Sequence, residues 1–100
     1  MAVLHLTKGN FDETIARGKS MVDFWTHWCG PCKTLDPVIE AIAESRGEAV
    51  RVCKVDYDAE RELAGRFGVL TIPTVIIFED GEEVTRSIGL RPQEALEALL

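Results

Sequence analysis

No run of about 18 apolar residues occurs anywhere in the 100-residue chain, so a membrane-spanning helix is excluded. The longest nearly apolar stretch, Val69 to Phe78, is interrupted by two threonines and a proline. Residues 1–18 carry neither a basic start nor an apolar run; no secretory signal is expected, and the cytoplasm is the expected compartment. Glycine and proline are scarce, at 8 and 4 residues, and no segment is repetitive or rich in Ser, Gly and Pro. Collagen-like, disordered and linker-divided chains are thereby excluded. Basic residues are also in short supply, 11 against 17 acidic, for a net charge of -6. A polyanion such as nucleic acid is therefore not an expected partner. The remainder is 46% apolar and 28% charged, the make-up of one globular domain over residues 1–100. A chain this long buries roughly 60–70% of its unfolded surface, enough for one core and not two. A monomer is expected.

Apolar periodicity divides the chain into alternating strands and helices. Residues 4–6 form a weak strand. Asn10 is placed as an N-cap before a helix carrying Phe11, Ile15 and Ala16, which Gly18 ends. Residues 21–25 are apolar except for Asp23, the pattern of a strand covered on both faces. A second helix starts at the turn Cys29-Gly30-Pro31-Cys32 and runs to about Ser45, with Leu35, Val38, Ile39, Ile42 and Ala43 as one stripe. Pro37 lies inside it and is expected to kink it. Residues 49–56 are a further strand, residues 60–67 a short helix closed by Gly68, and residues 74–79 a β-branched central strand. Asp80-Gly81 is a hairpin turn into residues 82–88, and Pro92 opens a last helix with Ala95, Leu96, Leu99 and Leu100 on its apolar side. Strand-helix-strand units require parallel pairing and the hairpin antiparallel pairing. The expected class is α/β: a central mixed five-stranded sheet flanked by four helices.

Cysteine is scarce too. Three residues, an odd number, argue against a purely structural disulfide framework, and two of them stand three positions apart. Cys29 and Cys32 sit where a strand passes into a helix. The unpaired N–H groups and partial positive charge of a first helical turn stabilise a thiolate, the nucleophilic form of cysteine, so Cys29 is expected to ionise below the free value of about 8.5. Cys32, one turn further, is placed to attack Cys29 once Cys29 is bonded to another sulfur, which yields dithiol–disulfide exchange. Gly30 lets the backbone turn closely under a substrate, and Pro31 suits a first turn because its missing N–H has no helical partner to lose. Haem attachment needs a histidine at position 33, which is Lys33. A structural zinc site wants a second Cys/His pair at matched spacing, and only Cys53, His27 and His5 remain. Redox chemistry is the favoured reading; zinc and inert packing are the weaker alternatives.

Val22-Asp23-Phe24-Trp25, Trp28-Cys29-Gly30-Pro31-Cys32-Lys33, Ile72-Pro73-Thr74 and Gly89 resemble, in this order, the hallmarks of the thioredoxin family. The resemblance covers essentially the whole chain. It implies the thioredoxin fold and a protein-disulfide reductase activity with Cys29 as nucleophile and Cys32 as resolving thiol. The Gly-Pro pair between the cysteines resembles the reducing members; oxidases and isomerases of the superfamily usually carry a histidine there. No resident cofactor and no metal are expected. The reversible Cys29–Cys32 disulfide carries the electrons, and a flavin-dependent thioredoxin reductase, or else a ferredoxin-dependent one, recharges it. The expected partners are that reductase and disulfide-containing target proteins.

The resemblance extends to supporting residues. Asp23 is the single charge in an apolar strand; burial raises the pKa of such a carboxyl, and the resemblance makes it the acceptor of the Cys32 proton. A strand-end aspartate facing water is the competing reading. Lys54 is implied as the partner of Asp23, against an ordinary solvated lysine. Pro73, directly before a β pattern, fits a cis bond that leaves the Ile72 backbone free to pair with an extended substrate. Trp28, Gly30, Pro31, Ile72, Pro73 and Gly89 are then the substrate-binding surface, with Ile88 either groove or core and Trp25 core. Thr26, His27 and the Leu70-Thr71 pair depart from the family's usual residues. His27, if charged, stabilises the Cys29 thiolate, although an exposed loop histidine without effect is the favoured reading. Cys53 is expected to pack as a small apolar residue. A binding module with idle thiols and an oxidase or isomerase are the alternatives to a reductase.

Overall fold

The β-branched segments become the two strands that flank the centre of the sheet in the computed structural model, which describes residues 3–100. In chain order the elements are β1 (Leu4–His5), α1 (Phe11–Ile15), β2 (Lys19–Trp25), α2 (Gly30–Arg46), a 3-10 turn (Gly47–Ala49), β3 (Val50–Asp56), α3 (Arg61–Arg66), β4 (Thr74–Glu79), β5 (Glu82–Ile88) and α4 (Gln93–Glu97). The sheet order is β1-β3-β2-β4-β5. β3 runs parallel to β1 and β2, whereas β4 is antiparallel to β2 and β5. The expected mixed five-stranded sheet with four helices is therefore the observed one.

Strand alternation sorts the core into two layers. On one face Val22, Phe24, Cys53, Val55, Ile76 and Phe78 pack with residues of α1 and α3. On the other, Met21, Val50, Val52, Val75 and Ile77 meet Leu35, Ile39, Ile42 and Ala43 of α2 and Leu96 of α4. The same two-residue period settles three positions that bear on chemistry. Asp23 shares its face with Met21, and Lys54 with Val52, so both point to the α2 side. Cys53 points to the other.

Several element ends differ from the sequence expectation, each for a local reason. β2 begins at Lys19 because Lys19 and Ser20 still pair with Glu79 and Phe78 of β4. Asn10 stands at the N-cap of α1 without capping it; its Oδ1 accepts from the Thr7 N–H at 2.7 Å and closes the preceding turn. α1 stops at Ile15, leaving Ala16 exposed. α2 runs through Pro37, as expected, and ends at Arg46. Pro92 is extended (ψ 157°) and precedes α4 rather than forming its first residue. In the hairpin, Asp80 and Gly81 take φ of 50° and 88°, the left-handed pair that a two-residue turn between twisted strands requires. Among the described residues no helix is long and apolar enough to cross a membrane.

Ile39 is fully buried between α2 and the sheet, whereas Val84 of β5 is exposed. Ile39→Ala is expected to lower the free energy of unfolding by about 2–5 kcal/mol and Val84→Ala by less than about 0.5 kcal/mol, as read from urea denaturation of the oxidised protein.

Candidate functional site: a disulfide at a helix N-terminus

β2 ends at Trp25, and three residues carry the chain to Cys29, the N-cap of α2. Cys29 is extended there (φ −95°, ψ 114°), and its Sγ accepts a hydrogen bond from the Cys32 N–H at 3.1 Å. This cap has a sulfur where a serine or aspartate oxygen is usual, and it satisfies one of the helix's unpaired donors. Pro31 occupies the first turn, where its missing N–H is harmless. The two sulfurs are bonded to each other, with the Cα atoms 5.2 Å apart. Cys29 retains 7% of its surface and Cys32 only 2%, so Cys29 is the more accessible of the two. Gly30 is helical, and a Cβ there would meet nothing within 4 Å. The chain itself therefore sets no close approach at this glycine.

The start of β4 supplies the opposite wall. The Ile72–Pro73 bond is cis, and the Ile72 carbonyl oxygen lies 3.9 Å from Cys29 Sγ. Pro73 is buried and Ile72 half-buried. The Gly89 N–H donates to the Pro73 carbonyl at 2.8 Å, with Gly89 at φ +90°, a backbone conformation that favours glycine. The end of β5 is thus tied to the same wall, and Ile88 beside it is 52% exposed, which places it on the surface and not in the core. Trp28 is 72% exposed and anchored at one end, its indole Nε1 donating to Asp58 Oδ2 at 2.8 Å. That bond and one from Arg61 hold the Asp58 carboxyl below its ordinary value.

Behind the disulfide lies a group of charges. Asp23 is fully buried, and neither carboxylate oxygen has a hydrogen-bond partner among the described residues. Burial pushes its pKa up to about 7; the positive charge of Lys54 opposes the rise and the negative charge of Asp36 adds to it. Lys54 sits opposite Asp23 in the β2–β3 register, but its ammonium pairs with Asp36 of α2 and not with Asp23. This corrects the sequence expectation. The lysine stem is long enough to carry the charge past its register neighbour to a carboxylate that keeps nearly half of its side chain in water, where an ion pair loses less hydration than at a buried site. The same ammonium lies 4.7 Å over the Trp25 ring. Trp25, expected in the core, is half-buried.

A cavity of about 190 Å³ opens beside this group, lined by Trp25, Thr26, His27, Cys32, Lys33 and Asp36. His27 is exposed and directs Nε2 to Asp56 Oδ2 at 3.2 Å. Asp36 was not singled out from the sequence. The available signal was its place one turn beyond Cys32 on α2, the same side of the helix. Cys53 is fully buried on the opposite face of the sheet, and burial pushes its thiol up to about 12. It packs there as a small apolar residue. Among the described residues no three His, Cys, Asp or Glu side chains are grouped to hold a metal ion.

A family model described as "Thioredoxin" matches residues 2–100. The chain is 40% identical over 100 residues to the thioredoxin of Bacillus subtilis (strain 168), covering 100% of this chain and 96% of the relative. It is 44% identical over 98 residues to the thioredoxin of Listeria monocytogenes, covering 98% and 95%. With the thioredoxin of Staphylococcus haemolyticus it shares 43% identity over 100 residues, covering 100% and 96%.

The raised pKa of Asp23 gives stability a definite pH dependence. Its folded value, about 7, exceeds its ordinary value of 3.8. The folded state therefore holds the proton more tightly, and stability falls as pH rises between those two values. Asp23→Asn removes that penalty. Relative to the parent it is expected to gain on the order of 3–4 kcal/mol between pH 4 and pH 8.5, measured by urea denaturation at both pH values. A gap between the two proteins that stays constant with pH would contradict the buried carboxyl.

Proposed function

The chain belongs to the thioredoxin family of thiol-disulfide oxidoreductases, and we propose that it reduces protein disulfides with Cys29 as nucleophile and Cys32 as resolving thiol. The observation that carries this reading is the Cys32 N–H on Cys29 Sγ at the N-cap of α2, with Cys32 almost wholly buried beneath it. In the reduced protein that N–H and the helix N-terminus favour a thiolate on Cys29. The thiolate attacks one sulfur of a target disulfide; the target S–S bond breaks, its other sulfur leaves as a thiolate, and a mixed disulfide joins Cys29 to the target. The Cys32 thiol then passes its proton to the Asp23 carboxylate. The Cys32 sulfur attacks Cys29 Sγ, and the second target sulfur leaves with the electron pair of the mixed disulfide. Two electrons have moved to the target, and Cys29–Cys32 is oxidised, the state seen here.

Asp23 suits this role because a base is most effective when its pKa lies near the working pH, and burial brings it there. Lys54 tempers that shift through its charge. Trp28, Gly30, Pro31, Ile72, Pro73 and Gly89 form the binding surface, on which the Ile72 backbone pairs with an extended target segment. A flat surface of this kind suits many targets. Residues 1–100 act as one monomeric unit in the cytoplasm, with no resident cofactor or metal; a thioredoxin reductase returns the two electrons.

Insulin reduction by dithiothreitol, followed as turbidity, tests the assignment. Cys29→Ser is expected to fall to the uncatalysed rate. Cys32→Ser is expected to lose turnover while accumulating a one-to-one mixed disulfide with the target, visible by mass spectrometry. Full activity in the Cys29→Ser protein would sink the reading.

A further inference from the structure

Asp23, Lys54 and Asp36 form a three-charge set in which a single cation faces two carboxylates. Lys54 is the residue opposite Asp23 across β2 and β3, yet Asp36 holds its ammonium, and both oxygens of Asp23 are left without partners among the described residues. The other neighbours of Asp23 do not replace the lysine. β4 presents uncharged Val75 in register. α2 presents Cys32, the exposed Lys33 and Asp36 around the adjoining cavity, and the loop before it presents His27, whose Nε2 faces Asp56 of β3. Asp36 borders the same cavity as Cys32 and is half-exposed, so its carboxylate keeps contact with water while it holds the lysine.

We propose that Asp36 is a positioning residue for the proton transfer at Cys32: its carboxylate draws the Lys54 ammonium toward α2 and away from Asp23. The proposal rests on Asp23 accepting the Cys32 proton. If Lys54 paired with Asp23 directly, the ion pair would favour the carboxylate and weaken it as a base. With Lys54 held by Asp36, burial keeps the Asp23 carboxyl up at about 7 against the remaining pull of the lysine charge, and the negative charge of Asp36 acts in the same direction as burial. No new covalent chemistry is involved; the proton that leaves Cys32 is the one Asp23 takes up.

Carbon-13 NMR of the Asp23 carboxyl across pH, in the oxidised protein, reads the effect without any turnover. In Asp36→Asn the titration midpoint is expected to fall by about one unit or more, because the freed lysine moves to Asp23. In Asp36→Glu, which keeps the charge, it stays near that of the parent. In Asp36→Asn/Lys54→Met no cation remains to be captured, and the midpoint is expected to stay high. The rate of target release from the mixed disulfide, measured against pH, is expected to move its acid limb down with the midpoint and to lose plateau rate in Asp36→Asn. An unmoved or raised midpoint in Asp36→Asn, or an equal fall in the double variant, would overturn the capture of Lys54. A midpoint that falls while the acid limb stays put would instead overturn the proton-accepting role of Asp23, and with it the positioning role of Asp36. The Cys29 assignment would survive that result.

Discussion

The hydrogen bond from the Cys32 N–H to Cys29 Sγ, 3.1 Å long, ties the chemistry of this protein to its fold, because it exists only if β2 stops at Trp25 and α2 starts at Gly30. A helix that began a turn earlier would bury Cys29 in regular structure. One that began later would leave both sulfurs in a loop, with no ordered donors facing them. The register is held from behind by the packing of Leu35, Ile39, Ile42 and Ala43 on Met21, Val52, Val75 and Ile77. Thus the apolar stripe of α2, far from any reacting atom, fixes where the helix N-terminus falls. The wall at Ile72, Pro73 and Gly89 then closes the site from the other side of the sheet's end, through the Gly89 N–H on the Pro73 carbonyl.

Behind the sulfurs, the two-residue period of the strands does the sorting. It turns Asp23 and Lys54 toward α2 and Cys53 away from it. A carboxyl on that face has to be buried, since α2 covers it, and burial without hydrogen bonds is what lifts its pKa. Stability and the proposed reactivity pull in opposite directions here: the ionised carboxylate proposed to accept a proton is also the least comfortable group in the core. The arrangement persists because the apolar packing on both faces of the sheet is extensive enough to carry it.

Much of this was legible in the sequence. Element order followed from apolar periodicity, and the mixed sheet from one hairpin turn set among strand-helix-strand units, because parallel and antiparallel connections demand different lengths of chain. The two cysteines announced themselves by their place at a strand–helix join. Side-chain pairing was less legible. Which carboxylate holds Lys54 depends on how far a flexible stem reaches and on how much water each carboxylate keeps, and neither is written in spacing. Asp36 and Asp58 are ordinary acidic residues in the sequence; only the folded chain brings one to Lys54 and the other to the Trp28 indole. Trp25 likewise reads as core, yet the loop that follows leaves it half-exposed beside His27.

The proposed chemistry requires the helix N-terminus to activate Cys29 although the residue keeps only 7% of its surface exposed. Limited alkylation of the reduced protein with iodoacetamide at pH 7, followed by peptide mapping, tests it directly. Burial alone would make Cys29 react more slowly than a small free thiol, whereas a stabilised thiolate makes it react faster. Modification at Cys29 is expected to be faster than that of glutathione under the same conditions, with Cys32 and Cys53 spared. A Cys29 rate at or below that of glutathione would contradict it.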